Sequence, residues 1–164
     1  MKKIGLLSDT HGWLNPKVFD FFKDCDEIWH VGDIGSADVA NALSAFKPLR
    51  AVYGNIDGLE IRQMFPKVQI FSVEDIKVIM THIGGYPNHY EAGIKDLIIQ
   101  EKPDIFISGH SHILKVMNDH NLHLLHINPG AAGNSGFHKV ITMIRFQIDG
   151  KNISNMEVYE KNRH

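Results

Sequence analysis

Short apolar runs that end in polar, glycine-containing turns recur along the first two thirds of the chain. The runs are rich in β-branched and other apolar residues, and they cover residues 4–7, 28–31, 49–53, 76–80 and 105–107. Short runs of this kind, bounded by glycine, are typical of buried β-strands. The pattern therefore predicts five buried strands, each followed by a polar turn.

Helical patterns separate several of these strands. Asn15 and Pro16 provide an N-cap and a first helical position, and Ser36 or Asp38 can cap a second helix that ends before Pro48. A third helix is predicted over about residues 90–100. Four further strands follow at residues 113–117, 122–127, 140–148 and 153–159. This order predicts one domain, residues 1–164, of mixed α/β (α+β) class, in which helices cover the sheets.

Composition excludes several classes of protein. A net charge of −2 over 164 residues argues against a protein that coats nucleic acid, so a duplex nucleic-acid partner is not expected. The single cysteine, Cys25, excludes an intrachain disulfide and a thiolate zinc cluster. No apolar run is long enough to span a membrane or to act as a signal peptide. We therefore expect a cytoplasmic protein without a membrane partner.

Histidine is over-represented, with 11 residues, and polar side chains follow each of the five predicted strands. Ligands collect beyond the carboxyl ends of strands in folds of this class. Two pairs are spaced i, i+2, which places both side chains on the same side of an extended segment. The alternative interpretation is that these residues only form turns. The candidate metal ligands are Asp9, His11, Asp33, Asn55, His82, His110 and His112.

These candidate ligands offer only oxygen and imidazole nitrogen. Such a set suits Mn²⁺, Fe, Co²⁺, Ni²⁺ or Zn²⁺, and suits Ca²⁺ or a site for Mg²⁺ alone poorly. Seven ligands are too many for one ion but are sensible for two ions that share a carboxylate. Two divalent ions roughly 3.5–4 Å apart activate water and orient a phosphoester. We therefore predict two bound divalent ions, with manganese as the preferred metal. We also predict hydrolysis of a phosphoester by a metal-bridging hydroxide.

The order of these motifs resembles that of the calcineurin-like metallophosphoesterases, in particular their small bacterial and archaeal phosphodiesterases. The resemblance extends from Lys2 to about Tyr159, and closes with Asn128-Pro129-Gly130. The matching motifs are Asp9-x-His11, Gly32-Asp33, Gly54-Asn55-x-Asp57, His82 and Gly109-His110-x-His112.

The resemblance implies a four-layer αββα sandwich of two facing mixed β-sheets flanked by helices. It also implies a dinuclear site in which Asp33 bridges two ions. By motif position, the first ion would be held by Asp9, His11, Asp33 and His112, and the second by Asp33, Asn55, His82 and His110. It implies that Asp33, Asn55 and His82 act in catalysis by positioning the hydroxide and the phosphate.

One departure from the family pattern concerns proton transfer. Many members have a histidine directly after the asparagine, whereas this chain has Ile56, which cannot donate a proton. His89 and His138 are candidates for contacting the phosphate or supplying the proton, and the alternative for both is a solvated loop histidine. Asp57 could either orient a ligand or form a turn. His126 is interpreted as a packing residue.

Two other functions remain open at this stage. The same site could hydrolyse phosphomonoesters instead of diesters of a small molecule. Alternatively, the chain could be a protein-binding scaffold, since the vacuolar sorting subunit of retromer is similar in fold. The complete set of candidate ligands favours the enzyme. The sequence leaves the oligomeric state open, including a homodimer.

Overall fold

The computed structural model describes residues 1–163, so that His164 lies outside the described residues. The helices are α1 (Lys17–Phe21), α2 (Ala37–Phe46), α3 (Leu59–Met64) and α4 (Ile94–Glu101). The strands are β1 (Lys2–Leu7), β2 (Glu27–His30), β3 (Leu49–Ala51), β4 (Val68–Val73), β5 (Ile76–Thr81), β6 (Gly85–Tyr86), β7 (His89–Tyr90), β8 (Ile105–Ile107), β9 (Leu114–Asp119), β10 (Leu124–Pro129), β11 (Val140–Asp149) and β12 (Asn152–Asn162).

Ten of these strands form two mixed 5-stranded sheets. The first has the order β12-β11-β1-β2-β3, in which β1, β2 and β3 are parallel and β11 and β12 are antiparallel to their neighbours. The second has the order β4-β5-β8-β10-β9, with a parallel centre of β5, β8 and β10 between antiparallel edges. The short strands β6 and β7 pair as a separate hairpin.

Three apolar clusters define the layers. The largest lies between the sheets, where Leu6 and Trp29 of the first sheet share a cluster with Met80 of the second. A second cluster joins the outer face of the first sheet to α1, α2 and α3, and a third joins the outer face of the second sheet to α4. The predicted four-layer arrangement of two facing sheets flanked by helices is therefore confirmed. Within residues 1–163, no helix combines the length and the apolar character needed to cross a membrane.

Some predicted bounds were wrong. The helix predicted over residues 90–100 is α4. It begins at Ile94 rather than near residue 90, because Tyr90 pairs with Gly85 in the hairpin. Gly93, immediately before the helix, has φ of 83°, a conformation that does not continue back into a helix. The sequence pattern does not predict α3, β4 or the hairpin, which are short elements or lie at a sheet edge.

The fold brings the loops after parallel strands together. The Asp9 N–H donates to the Gly32 carbonyl at 3.0 Å, which joins the loops after β1 and β2. The Gly109 N–H donates to the His82 carbonyl at 2.9 Å, which joins the loops after β5 and β8. Between the two sheets, His82 Nδ1 lies 2.8 Å from the Val31 carbonyl. Four loops from two sheets are thereby held at one edge.

Candidate metal centre

Each of the seven candidate ligands lies in a loop or turn that follows a strand. Asp9 and His11 follow β1, Asp33 follows β2, and Asn55 follows β3. His82 comes directly after β5, and His110 and His112 follow β8. This placement agrees with the expectation that the strand ends carry these residues to one edge.

The backbone at this edge is left-handed rather than extended. Outside glycine, positive φ is uncommon, and Asp, Asn and His are the residues that tolerate it best. The spacing argument from extended segments was therefore wrong in its geometry: left-handed turns, not strand alternation, aim the paired side chains. The candidate ligands with positive φ are Asp9 (55°), His11 (49°), Asp33 (54°), His110 (71°) and His112 (63°).

The side chains form two compact groups whose ligand atoms lie within 4.8 Å of one another. Asp9, His11 and His112 form the first group, and Asp33, His82 and His110 form the second. The Asp33 Oδ2 atom lies 3.4 Å from His11 Nε2 and 3.2 Å from His82 Nε2. The Asp33 carboxylate therefore stands between the two groups, as a bridging ligand would.

Buried polar atoms at this site have no hydrogen-bond partner. Within residues 1–163, four buried side-chain nitrogen or oxygen atoms are unpaired, and three of them meet here: Asp9 Oδ1, His11 Nε2 and His82 Nε2. An unpaired buried polar group is costly, so such groups in a native structure call for an explanation. Their convergence fits a site built for cations.

The hydrogen bond on the far side of the His82 ring supports that explanation. His82 Nδ1 can only donate to the Val31 carbonyl, since that oxygen has no proton to give. In the neutral ring, Nε2 then carries a lone pair, which faces Asp33 Oδ2 at 3.2 Å. A lone pair and a carboxylate oxygen at this distance need a cation between them, either a proton or a metal ion.

The acid–base properties of the groups lead to the same conclusion. Burial alone would raise the pKa of Asp9, but the imidazoles of His11 and His112 outweigh it and hold the pKa well below its usual range. Burial likewise would raise the pKa of Asp33, yet His82 brings it below its usual value. Although burial opposes it, Asp33 and Asp9 raise the pKa of His82. The carboxylates are thus ionised, and a metal ion would displace protons from the imidazoles.

A second hydrogen-bond chain orients His112. His138 Nε2 lies 2.7 Å from the Gly133 carbonyl and must donate to it, which leaves Nδ1 of the neutral ring as an acceptor. Burial lowers the pKa of His138, so the neutral ring is favoured. His112 Nδ1 lies 3.0 Å from His138 Nδ1 and therefore donates, which leaves His112 Nε2 with its lone pair towards Asp9 Oδ1 at 3.2 Å.

Other polar contacts hold the loops rather than reach into the site. The Asp57 carboxylate accepts backbone N–H groups from Gly54 at 2.8 Å, Gly35 at 2.9 Å and Ile34 at 3.2 Å. It therefore ties the loop after β2 to the loop after β3. Of the two interpretations of Asp57, the structure favours a residue that positions these loops.

The loop that carries His110 and His112 is held by Asn128. The Asn128 amide donates to the Gly109 carbonyl and to Ser111 Oγ, both at 3.1 Å, and its oxygen accepts from the Gly130 N–H at 3.0 Å. The two contacts made by the amide nitrogen tie β10 to the loop after β8, and the contact with Gly130 is local to the turn after β10. Asn128 therefore supports the backbone of two candidate ligands.

Two cavities adjoin the clustered ligands. The first, of about 230 Å³, is bordered by His110, and the second, of about 390 Å³, by Asn55 and His82. They share Ile83 and Glu91. The structure thus brings Asn55 to a cavity wall beside His82.

The remaining predicted histidines lie elsewhere. His89 borders a different cavity, together with residues of α4 and the β9–β10 turn. His138 stands behind His112, as described above. His126 is buried as expected, but it borders the first cavity, which the sequence reading missed. Nothing in its local sequence, Leu125-His126-Ile127, distinguishes it from a core residue.

The comparison with known families agrees with this geometry. Residues 1–151 match the calcineurin-like phosphoesterase superfamily domain. The chain belongs to the calcineurin-like phosphoesterase superfamily. A probable metallophosphoesterase of Methanothermobacter thermautotrophicus is 32% identical over 138 residues, which cover 78% of this chain and 76% of the relative. Superfamily membership and the two ligand groups together support a metal-dependent phosphoesterase, a hydrolase of phosphoric esters.

Solved structures share the superfamily fold at lower identity. A Streptococcus pneumoniae protein, described as uncharacterised and a predicted phosphoesterase, has a TM-score of 0.71 and 23% identity over 99% of this chain and 90% of its own. Wild-type Vps29 of Entamoeba histolytica, described as complexed with zinc, has a TM-score of 0.75 and 15% identity over 99% of both chains. At these identities, the similarities concern the fold alone.

Proposed function

We propose that this phosphoesterase hydrolyses a small-molecule phosphodiester at a centre of two divalent metal ions. The observation that carries the proposal is the convergence of three unpaired buried ligand atoms around two groups that share the Asp33 carboxylate. A net charge of −2 favours a small diester over duplex nucleic acid.

The ligand assignment follows the two groups. Asp9, His11 and His112 would hold the first ion, His82, His110 and Asn55 would hold the second, and Asp33 would contribute to both. When bound, two such ions supply the Lewis acidity that activates water for in-line attack and neutralises charge on the phosphate oxygens. Manganese is the ion we propose first. Iron, cobalt, nickel and zinc are alternatives, since oxygen and imidazole ligands accept all of them.

Two cavities beside the ligands favour a diester over a monoester. A phosphodiester carries two organic groups, and two cavities adjoin the proposed second ion's ligand set, one through His110 and the other through His82 and Asn55. A monoester would need only one of them. Asn55 and His82 would then lie beside the phosphate and position it between the two arms.

The residue after Asn55 limits the leaving group. The Ile56 backbone N–H donates to Asp33 Oδ1 at 3.1 Å, so the loop supports the bridging carboxylate, but the exposed side chain has no proton to give. Both ring nitrogens of His138 are engaged with Gly133 and His112, which leaves it without a free proton for the ester. We therefore propose that the enzyme favours esters whose alcohol leaves without protonation.

The test compares bis(p-nitrophenyl) phosphate with p-nitrophenyl phosphate after loading the purified protein with Mn²⁺. We expect faster turnover of the diester, loss of turnover with a chelator, and two ions per chain by elemental analysis. Asp33→Asn should lower turnover by at least about 100-fold, the upper end of what losing an outer partner of a metal ligand costs. His120→Ala, at an exposed histidine, is the matched control.

Three results would contradict the proposal. Faster turnover of the monoester would assign the site to phosphomonoesters. Fewer than one tightly bound ion and no turnover with any of the five metals would favour a protein-binding scaffold. Equal activity of Asp33→Asn and the wild type would remove Asp33 from the centre.

A further inference from the structure

The fourth unpaired buried atom, His126 Nε2, lies outside the ligand groups. His126 is fully buried on β10, where its ring stacks on Phe106 with a centroid distance of 5.6 Å. Its Nδ1 lies 3.1 Å from the Phe106 carbonyl and therefore donates to it. Burial lowers the pKa of His126 to about 4, so the ring is neutral near pH 7. The Nε2 atom is thus a hydrogen-bond acceptor that has no donor within the described residues.

His126 borders the cavity of about 230 Å³ beside His110. The hairpin residue Tyr86 and the side chains of Ile83 and Ile113 supply apolar surface around the same cavity. Asn128 also borders it, but all of its amide contacts are made within the protein. The cavity therefore combines apolar walls with a lining residue, His126, whose buried Nε2 has no donor among the described residues.

The charges around the cavity balance. Lys115 and Glu91 both border it, and the Lys115 ammonium lies 3.8 Å from the centre of the Tyr86 ring, where it makes a cation–π contact. One positive and one negative group favour a neutral ligand over a charged one. The volume is below the roughly 300 Å³ at which pockets for drug-sized ligands begin, so a single compact ring fits better than a larger group.

We propose that this cavity binds one arm of the phosphoester and selects a compact, neutral, ring-containing group whose O–H or N–H donates to His126 Nε2. The position of His110, which borders the cavity and belongs to the second ligand group, places the arm next to the reacting phosphate. This inference rests on the proposed function, because it names the kind of substrate that the same site takes.

The kinetic test uses two diesters with the same p-nitrophenol leaving group. Their retained arms are 3-hydroxybenzyl and 3-methoxybenzyl, which differ in a single O–H donor. The wild type should prefer the hydroxybenzyl diester in kcat/KM by about fivefold, the value of one neutral hydrogen bond. His126→Phe keeps a ring against Phe106 but has no acceptor, so it should remove the preference for the hydroxybenzyl diester. His120→Phe, at an exposed position, should keep the preference.

A binding test on the unmodified protein covers the case in which the variant does not fold. The protein is labelled with ¹⁵N, freed of manganese and loaded with Zn²⁺. NMR then follows its imidazole nitrogens while 3-hydroxybenzyl or 3-methoxybenzyl methylphosphonate is added. The His126 Nε2 resonance should move upfield, as an acceptor does when it gains a hydrogen bond, with the hydroxy compound only.

The outcomes separate this inference from the proposed function. Diester hydrolysis without a preference, or a preference that persists in His126→Phe, overturns the inference and leaves the diesterase standing. Absence of hydrolysis contradicts the diesterase, and the NMR result then decides the cavity: equal responses to the two phosphonates, or no response, overturn the inference. A response to the hydroxy compound alone supports it.

Discussion

Replacing His138 with alanine tests whether the hydrogen-bond chain behind His112 sets metal affinity. In the wild type, the Gly133 carbonyl fixes the His138 tautomer, and His138 Nδ1 accepts the His112 proton at 3.0 Å, so that His112 Nε2 has a lone pair available for a metal ion. In His138→Ala the His112 ring can turn or change tautomer. Losing such a partner typically weakens metal binding by 10- to 100-fold, about 1.4 to 2.8 kcal/mol.

The assay is calorimetric titration of Mn²⁺ into metal-free protein, supported by the visible spectrum of the Co²⁺ form. We expect the loss at only one of the two sites, the one that contains His112. His138→Asn should recover part of the affinity, because its side-chain oxygen can accept the His112 proton although it cannot replace the contact to Gly133. His89→Ala, at a histidine that borders a different cavity, is the control and should bind as the wild type does.

Two results would refute the reasoning about His138. Wild-type affinity in His138→Ala would mean that the His112 ring is held by its other contacts. Equal weakening at both sites would indicate general damage to the loop after residue 130, rather than loss of one oriented ligand.

Three further predictions follow from buried groups. Asp57→Asn removes the charged acceptor of three backbone N–H groups and should lower the free energy of unfolding in urea by about 2 kcal/mol. A change near zero would contradict the role of Asp57 in holding the two loops together. Burial lowers the pKa of both His30 and His126 to about 4, so between pH 6.5 and 4 the unfolded chain binds protons that the native state does not. The free energy of unfolding of metal-free protein should fall over that range by about 3 kcal/mol for each histidine, and a slope unchanged in His30→Gln would refute this. Burial raises the pKa of Cys25 to about 11, so Ellman's reagent at pH 8 should react only after unfolding; rapid reaction of the native protein would contradict its burial.

The sequence was sufficient to predict the strands whose ends carry the candidate site. Residues 4–7, 28–31, 76–80 and 105–107 are apolar except at His30 and Lys77, because both faces of these strands are covered, one by the other sheet and one by helices. A polar residue after such a run has to lie at the edge of the sheet. That is why the candidate ligands follow from the sequence alone.

Other features depend on contacts that no local pattern records. Helix α3 has six residues, too few for a helical period to stand out, and it is stabilised by packing Ile61 into the cluster below the first sheet. The pair formed by His112 and His138 spans 26 positions and joins two loops. Its existence follows from the packing of those loops and not from either segment alone.

The left-handed backbone makes the two interpretations that the sequence left open compatible with each other. Turn residues and metal ligands were competing interpretations of the same positions, yet the five ligands with positive φ are all Asp or His, residue types that tolerate this conformation and also coordinate metals. Each such residue costs on the order of 1–3 kcal/mol relative to ordinary backbone, and the cost is offset where neighbouring loops bond to each other. The His11 N–H, for example, donates to the Asp33 carbonyl at 3.0 Å, so one candidate ligand holds the backbone of another. The turns are therefore the means by which the candidate ligands converge, and a residue with a branched side chain at any of these positions would disturb the backbone as well as the proposed chemistry.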